Sequence, residues 1–355
     1  MKRGVVLTLV LLLVCTITGS LWAQDVPKEA LLVLAKQDRS MAIVDPVTLQ
    51  VVGHVPTGPN PHEVIASSDG KLAFISNYGP EQHTITVANL AAQKVQQVID
   101  IFPFFGAHGL AFAGGELYFT AEMNKVIGRY SLSSHNIDWI FGTGQNRTHM
   151  VFVSKGLDHI YSANVDSGTI SIIEKIDGIA GGPPGPPPPG APSNLGQPSA
   201  RKQDWDETII PTGKGTEGFD ISPDGKELWA AAAQKGTISI IDLTTKQVRQ
   251  VLDTDVRWAN RLRFTPDGKY VFVSILTDQT GGDVIILDAR SHAIVKQLHI
   301  GHWVEGILMQ PDGSRAYVAC TSDDYVAVID LKTLEVVGHI YPGKGPDGMA
   351  WVTQN

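Results

Sequence analysis

An internal repeat of about forty residues runs through most of the sequence and restricts the folds open to it. Asp-Gly turns recur at Asp69-Gly70, Asp224-Gly225, Asp267-Gly268 and Asp312-Gly313, and each precedes a short run rich in β-forming residues. Asp-Gly between two apolar runs is typical of a β-hairpin, because Gly accepts the positive φ of a tight turn. The repeat therefore predicts a series of similar hairpins.

A third apolar run follows in each unit and shows how many units there are. It occurs seven times, at residues 41–44, 84–87, 125–128, 169–173, 237–241, 283–287 and 325–329. A fourth run closes the unit, and four short strands at this period are the pattern of a β-propeller blade. We therefore predict an all-β fold, a seven-bladed β-propeller.

The two ends of the chain are predicted to complete one blade between them. The N-terminal region supplies three of its strands, at residues 31–36, 41–44 and 50–55, and residues 348–352 supply the missing innermost strand. Pairing between the N- and C-terminal strands closes the ring and leaves no open sheet edge between the first and last blades.

The first 23 residues have the pattern of a secretory signal peptide. Lys2 and Arg3 precede an apolar run over residues 5–14, and small residues lead to Ala23. That run is too short to span a bilayer, so we expect no transmembrane anchor and a periplasmic or secreted protein. Residues 24–355 are predicted to form a single propeller, with a disordered Gly/Pro-rich insert at about 178–205.

Charge and cysteine content narrow the choice of partners. The chain has 36 Asp and Glu against 28 Lys and Arg, and a net negative body does not attract nucleic acid. Cys320 is the only cysteine left once the signal is removed, so we expect no internal disulfide and a small buried apolar side chain there. We expect a monomer whose partner is a small polar ligand or a metal, with a protein partner as a further possibility.

Equivalent positions in the seven units define a ring of polar residues. In each unit we take the residue seven positions before the Asp of the Asp-Gly turn and compare these residues between units. In the two units whose turn lacks Asp, the count starts from Gly115 or Gly156. In the last unit, Asp347 aligns with His62. The resulting mouth ring consists of His62, His108, His149, Glu217, Asn260, Glu305 and Asp347. Each lies at the entry of an innermost strand, so the seven side chains should surround one end of the central channel.

Further polar residues are expected on the same face, near the ends of the second strands. This predicted rim consists of Asn77, Glu122, Asn164, Asp278 and Asp323. A hydrated polar collar without any function would give a similar composition, so the chemistry of individual residues has to distinguish the alternatives.

The ring residues permit three kinds of chemistry. His62, His108 and His149 could bind a transition metal if their nitrogens converge on one point. His62 or His149, with Glu217 and Arg261, could provide acid–base catalysis, since His titrates near neutral pH. The third possibility is a small polar ligand held without reaction. The residues predicted to bind it are Trp258, Asn260, Trp303, Glu305 and Asp347.

The units resemble the YVTN-type β-propeller repeat. The resemblance is carried by residues 218–225, Gly-Phe-Asp-Ile-Ser-Pro-Asp-Gly, and by residues 237–242, Thr-Ile-Ser-Ile-Ile-Asp. It implies the propeller fold and little about activity, because such propellers include binding proteins, scaffolds and enzymes. Residues 60–63 and 77–79 are also similar to the seven-bladed lactonases, which implies a site containing His62 and an Arg such as Arg261.

Three functions remain open at this point. The first is an exported binding protein for a small polar ligand or a metal ion at the channel mouth. The second is a lactone hydrolase or lyase that uses a ring His and a carboxylate. The third is a scaffold for protein interactions, in which the ring is incidental.

Overall fold

Seven four-stranded antiparallel sheets, each a blade, make up the molecule, as predicted. The computed structural model describes residues 26–177, 203–253, 258–276 and 281–354. Within those ranges the structure has 28 strands, one 3₁₀ turn at Thr321–Asp323 and no α-helix. None of the described segments is a helix long and apolar enough to cross a membrane. The predicted signal peptide and most of the predicted insert lie outside the described residues.

The strands are numbered in chain order, and blades 2–7 each use four consecutive strands, innermost first. Blade 1 contains β28 (Pro346–Thr353), β1 (Glu29–Ala35), β2 (Ser40–Val44) and β3 (Val51–Pro56). Blade 2 contains β4 (Pro61–Ala66), β5 (Leu72–Asn77), β6 (Thr84–Asn89) and β7 (Lys94–Asp100), and blade 3 contains β8 (Ala107–Ala113), β9 (Glu116–Ala121), β10 (Val126–Ser131) and β11 (Asn136–Gly142). Blade 4 contains β12 (Thr148–Val153), β13 (His159–Asn164), β14 (Thr169–Asp177) and β15 (Gln203–Pro211), and blade 5 contains β16 (Thr216–Ile221), β17 (Glu227–Ala232), β18 (Thr237–Asp242) and β19 (Gln247–Asp253). Blade 6 contains β20 (Ala259–Phe264), β21 (Tyr270–Ile275), β22 (Gly282–Asp288) and β23 (Ile294–Gly301), and blade 7 contains β24 (Val304–Met309), β25 (Arg315–Cys320), β26 (Tyr325–Asp330) and β27 (Glu335–Ile340).

Blade 1 is assembled from both ends of the chain, which confirms the predicted ring closure. Strand β28 pairs antiparallel with β1, with Leu31 opposite Trp351 and Val33 opposite Met349. The innermost strand of blade 1 therefore comes from the C-terminal region. It begins at Pro346, two residues earlier than predicted.

The core lies between neighbouring blades. Side chains alternate along a strand, so Leu32 of β1 packs toward Ile75 of blade 2 while Val33 packs toward Tyr317 of blade 7. Both faces of the middle strands are thus buried, which explains their continuous apolar runs. Cys320 is fully buried, as predicted, and burial raises the pKa of its thiol to about 12.

The end of the propeller that carries the Asp-Gly turns is called the turn face. The turns between third and fourth strands lie at the same end, and β14 and β15 continue there as a paired ribbon to Asp177 and Gln203. Gln203 therefore begins a strand inside the range predicted for the insert, because it pairs with Asp177. The two described residues that flank the rest of the insert, Asp177 and Gln203, thus lie at the turn face, at the opposite end from the mouth ring.

Candidate functional site

The mouth-ring residues lie at the starts of the innermost strands and contact one another around the channel. The imidazole centroids of His62 and His108 are 5.2 Å apart, and those of His108 and His149 are 3.5 Å apart in a stacked arrangement. His149 Nε2 is 3.2 Å from Glu217 Oε1. On the other side, His62 Nε2 is 3.9 Å from Asp347 Oδ2. The repeat register thus brings residues of five blades into one cluster.

A left-handed backbone residue precedes every ring residue by two positions. These seven entry positions all have positive φ: Asn60 (48°), Gly106 (72°), Arg147 (55°), Gly215 (81°), Trp258 (72°), Trp303 (52°) and Gly345 (65°). This conformation suits Gly and Asn, whereas a large side chain is strained in it. Four of the seven blades therefore carry a residue that suits the backbone, and three do not.

Glycine follows the ring residue in four blades and allows a close approach to the next blade. A Cβ at Gly109, Gly218, Gly306 or Gly348 would lie 2.2–2.4 Å from the carbonyl oxygen of His149, Asn260, Asp347 or His62, respectively. Such contacts are too short for any side chain, so neighbouring ring residues meet only because these positions are Gly.

The other three blades place a side chain at this position, and two of these form an ion pair. Arg261 Nη2 of blade 6 is 2.7 Å from Glu63 Oε1 of blade 2, so the pair spans the channel. Arg261 Nη1 is also 3.5 Å from Glu217. Burial opposes the charge on Arg261, but Glu63 and Glu217 outweigh it and raise the pKa of the guanidinium. With Met150, the pair lines a cavity of about 20 Å³.

The residue that directly follows the second strand of each blade lies next to the ring, and in several blades its side chain contacts a ring residue. The backbone N–H of this post-strand position donates to the carbonyl of the entry position in all seven blades. The seven post-strand positions are Lys36, Tyr78, Glu122, Val165, Ala233, Leu276 and Thr321. Sequence reasoning missed this register, except for Glu122. Comparing the residue after each second strand across the units would have found it.

Lys36 joins two acidic ring residues. Its Nζ lies 2.7 Å from Glu305 Oε2 and 3.2 Å from Asp347 Oδ2. Burial lowers the pKa of Lys36, but the two carboxylates outweigh this and raise it well above its usual range. Burial, followed by the charge of Asp347, raises the pKa of Glu305, and burial also raises that of Asp347. This sector holds a fixed cation between two carboxyl groups with a tendency to keep a proton.

His149 is buried between two carboxylates. Its Nδ1 pairs with Glu122 and its Nε2 with Glu217, so both ring nitrogens are occupied. Burial lowers the pKa of His149, but Glu217 and Glu122 outweigh burial and raise it. Burial raises the pKa of Glu217, yet His149 and Arg261 overcome this and lower it. Tyr78 Oη donates to Glu122 Oε2 at 2.7 Å and completes this network.

His62 and His108 are neutral. Burial, followed by the charge of Lys36, lowers the pKa of His62 to about 3, and burial followed by the charge of His149 lowers that of His108 well below its usual range. Tyr78 packs on both rings, with centroid distances of 4.6 and 4.9 Å. Among the described residues, the Nδ1 atoms of His62 and His108 and the Oδ1 atom of Asn260 have no hydrogen-bond partner although they are buried.

The three histidines do not share a metal-coordination point in this arrangement. His108 and His149 stack face to face, which directs their nitrogens side by side, and His149 uses both of its nitrogens on carboxylates. The described part of the chain contains no group of three or more His, Cys, Asp or Glu side chains placed to hold a metal ion. The geometry therefore does not fit a site formed by His62, His108 and His149.

Trp258 and Trp303 stand at the entry positions of the adjacent blades 6 and 7. Their exposed fractions are 52% and 38%, high for so large an apolar side chain. Trp303 Nε1 donates to Glu305 Oε1 at 2.9 Å, which connects the indole to the ring.

Most of the predicted rim has a different role. The Asn77 amide bonds to Thr84 and Thr86 of its own blade, and Asn164 does the same with its own neighbours. Asp323 pairs with the exposed His302, and Asp278 lies outside the described residues. Only Glu122 of the described rim residues contacts a ring side chain, because only Glu122 occupies a post-strand position.

Comparisons with known proteins identify the fold but no family. No family model matches the sequence, and no curated protein matches it. A protein from Bacteroides uniformis named "putative 6-phosphogluconolactonase" is 14% identical, with a TM-score of 0.70 over 91% of this chain and 99% of that chain. A functionally unknown protein from Desulfotomaculum acetoxidans is 11% identical, with a TM-score of 0.70 over 92% and 99%.

Hydrazine synthase from Kuenenia stuttgartiensis is also similar in structure. It is 18% identical, with a TM-score of 0.64 over 83% of this chain and 90% of that chain. At such identities the likeness shows the propeller fold alone, since one fold supports unrelated functions.

Proposed function

We propose that this protein is an exported β-propeller that binds a small polar ligand at its channel mouth. The observation that carries the proposal is the set of unpartnered polar atoms on His62, His108 and Asn260. A buried polar atom without a hydrogen bond costs about 1–3 kcal/mol, so buried polar groups are normally paired. In this ring the charged members are paired with one another, and only these three neutral side chains still offer hydrogen bonds.

Two further observations support a binding role. Trp258 and Trp303 add exposed aromatic surface at the entry positions of the blades that carry Asn260 and Glu305. Concave sites with apolar walls and a few polar groups that fix orientation are typical of small-molecule binding. The signal-like residues 1–23 support export to a periplasmic or extracellular location.

The acid–base chemistry of the ring favours binding over reaction. A general base works best when its pKa lies near the operating pH. Both nitrogens of His149 are occupied by carboxylates, so it has no free nitrogen with which to take a proton from a ligand. The pKa of about 3 makes His62 a weak base at neutral pH.

Lactone hydrolysis is the second candidate. The observation that favours it is the Glu305–Asp347 pair around Lys36, in which a carboxyl group with a raised pKa could hold a proton beside a fixed cation. A solved propeller named as a putative 6-phosphogluconolactonase has the same fold, and at 14% identity the likeness shows the fold alone.

Thermal-shift measurements on the mature chain test the binding proposal. The probes are sugars, sugar lactones, sugar acids, choline, Zn²⁺ and Cu²⁺, applied to the parent protein and to the His108→Ala and Asn260→Ala variants. His135→Ala, an exposed His in a hairpin turn of the turn face, is the matched control. We expect at least one probe to raise the unfolding midpoint of the parent and the control, and to lose at least tenfold in apparent affinity in both ring variants.

Two results would contradict the proposal: no response to any probe, or an equal response in the ring variants and the parent. The midpoint of each variant without probe shows whether it is folded. For the second candidate, turnover of a sugar lactone in a pH-stat should be abolished by Glu305→Gln. Turnover that survives this substitution removes the Glu305–Asp347 pair from any hydrolytic role.

A further inference from the structure

We infer that the ligand of the mouth ring is a neutral sugar whose apolar face stacks on Trp258 and Trp303. This inference rests on the proposed binding function and names the chemical class of its ligand. Three observations carry it: the backbone conformation of the two tryptophans, the neutrality of the unpartnered ring groups, and the pairing of the charged ones.

The backbone does not favour Trp at positions 258 and 303. All seven entry positions are left-handed, with φ between 48° and 81°, and four blades place Gly or Asn there. A non-Gly residue in this region is strained, and strained residues of this kind cluster at functional sites. Arg147, the third large residue at an entry position, has structural contacts that compensate, because it lies 3.7 Å from buried Glu122 and 3.6 Å from Asp166.

The burial of the two tryptophans is also too small to offset the free-energy cost of their backbone conformation. Half of the Trp258 side chain and more than a third of Trp303 are exposed. The backbone of both residues is anchored, since their carbonyls accept backbone hydrogen bonds at 3.0–3.1 Å from the post-strand positions Leu276 and Thr321. The same backbone hydrogen bond occurs in every other blade.

Charge pairing in the mouth argues for a neutral ligand. Five acidic groups meet four basic groups, and each has a partner of the opposite kind within 4 Å. The acidic groups are Glu63, Glu122, Glu217, Glu305 and Asp347, and the basic groups are Lys36, Arg147, His149 and Arg261. Within this network only Nη1 of Arg261 is a buried atom without a hydrogen bond. An ionic ligand that replaced any of these partners would break a buried pair, and leaving a buried charge without its partner is costly.

The unpartnered groups suit hydroxyl groups. A neutral imidazole can donate or accept at Nδ1 according to its tautomer, and the Asn260 Oδ1 accepts. A hydroxyl group both donates and accepts, so it can pair with a neutral imidazole nitrogen in either tautomer or with the Asn260 oxygen. The carbon-bound hydrogens on one face of a sugar ring then pack against the indole faces, which are apolar and carry partial negative charge.

Isothermal titration calorimetry separates the ligand classes. The neutral probes are the methyl glycosides of glucose, galactose and mannose, with N-acetylglucosamine; gluconate and choline are the anionic and cationic probes. The variants are Trp258→Gly and Trp303→Gly, with Trp258→Asn as a second substitution that the left-handed backbone accepts. His135→Gly, a left-handed position in a hairpin turn of the turn face, is the matched control.

We expect saturable binding of at least one neutral sugar by the parent and the control. The dissociation constant should rise at least tenfold in the three tryptophan variants. The unfolding midpoint of these variants should stay the same or rise, because Gly and Asn tolerate the backbone better than Trp does. A structural role of the indoles would instead lower the midpoint.

The remaining outcomes overturn the inference in distinguishable ways. If gluconate or choline binds and loses affinity in His108→Ala while no neutral sugar binds, the binding function stands and the sugar assignment fails. If a sugar binds equally well to the parent and the tryptophan variants, stacking on the indoles is wrong. If no probe binds at all, both the inference and the proposed function are contradicted.

Discussion

Recurring acidic residues lie at both ends of the propeller, and their partners differ. At the turn face, Asp69 accepts from the backbone of Lys71, and Asp267 accepts from that of Lys269. At the mouth, Glu63 pairs with Arg261, 198 residues away, and the other acidic ring residues also have partners on other blades. Because the partners of the turn-face aspartates are local, turn formation alone explains why Asp recurs there. Partners on other blades need a different explanation, which the proposed site provides.

Removing a cation should have its largest effect at the mouth. Arg261→Leu leaves Glu63 without its buried partner and Glu217 with His149 alone, so we expect a loss of about 3–5 kcal/mol in the free energy of unfolding. Arg249→Leu removes a pair with Glu227 from an exposed side chain and should cost less than about 1 kcal/mol. Urea denaturation of both variants measures the difference. Equal losses would abolish the distinction between the two ends.

Acid should destabilise the protein through its neutral histidines. The pKa of His62 is about 3 when folded and near 6.5 when unfolded, so its neutral form favours the fold above pH 6.5. This contribution is lost as the pH falls from 6.5 toward 3, at up to about 1.4 kcal/mol per pH unit. The pKa of His108 is lowered in the same direction. The contribution of His149 has the opposite sign: it is complete below the unfolded pKa and is lost as the pH rises through its raised folded pKa.

The measurement is the free energy of unfolding of the parent, His62→Gln and His135→Gln between pH 7 and pH 4. Gln cannot be protonated, so His62→Gln should flatten the acid limb by about 3 kcal/mol over this range. The turn-face control should follow the parent. A parallel loss in all three proteins would show that the mouth histidine is not buried as a neutral group.

The glycines that bring the ring together allow a smaller and more local comparison. Gly306→Ala places a methyl group 2.3 Å from the Asp347 carbonyl oxygen of the next blade and should cost about 1–3 kcal/mol. Gly313→Ala, in the turn of the same blade, places its methyl group more than 4 Å from any atom, so the only cost comes from the backbone φ of 74°. It should cost about 1 kcal/mol. Thermal unfolding distinguishes the two, and ligand affinity should fall only for Gly306→Ala.

The sequence predicts the fold and the mouth ring because the repeat fixes both. Turn residues mark the register in every unit, and the register places His62, His108 and His149 in consecutive blades. The same register places the entry and glycine positions one or two residues away. The repeat fixes the position of each residue along its strand. The ring, entry and glycine positions can therefore be found by counting residues from the turn of each unit.

The partners of the ring could not be predicted in the same way. Post-strand positions share a backbone hydrogen bond, but Lys36, Tyr78 and Glu122 have no chemistry in common. The predicted rim included polar residues near the ends of the second strands that do not occupy post-strand positions. Asn77 lies one residue before the post-strand position of its blade, and Asp323 lies two residues after that of its blade. Protonation could not be predicted either, because it depends on which carboxylate each imidazole meets.

The closure of blade 1 has a consequence for the synthesis of the protein. Lys36 follows the first strand and Asp347 lies on the last, so the contact between them joins the earliest and latest parts of the described chain. A ribosome that stops before codon 346 releases a polypeptide with most of its sheets and an unfinished mouth. Under the proposed binding function, such truncated copies would lack Asp347 and would not compete with the full chain for the ligand.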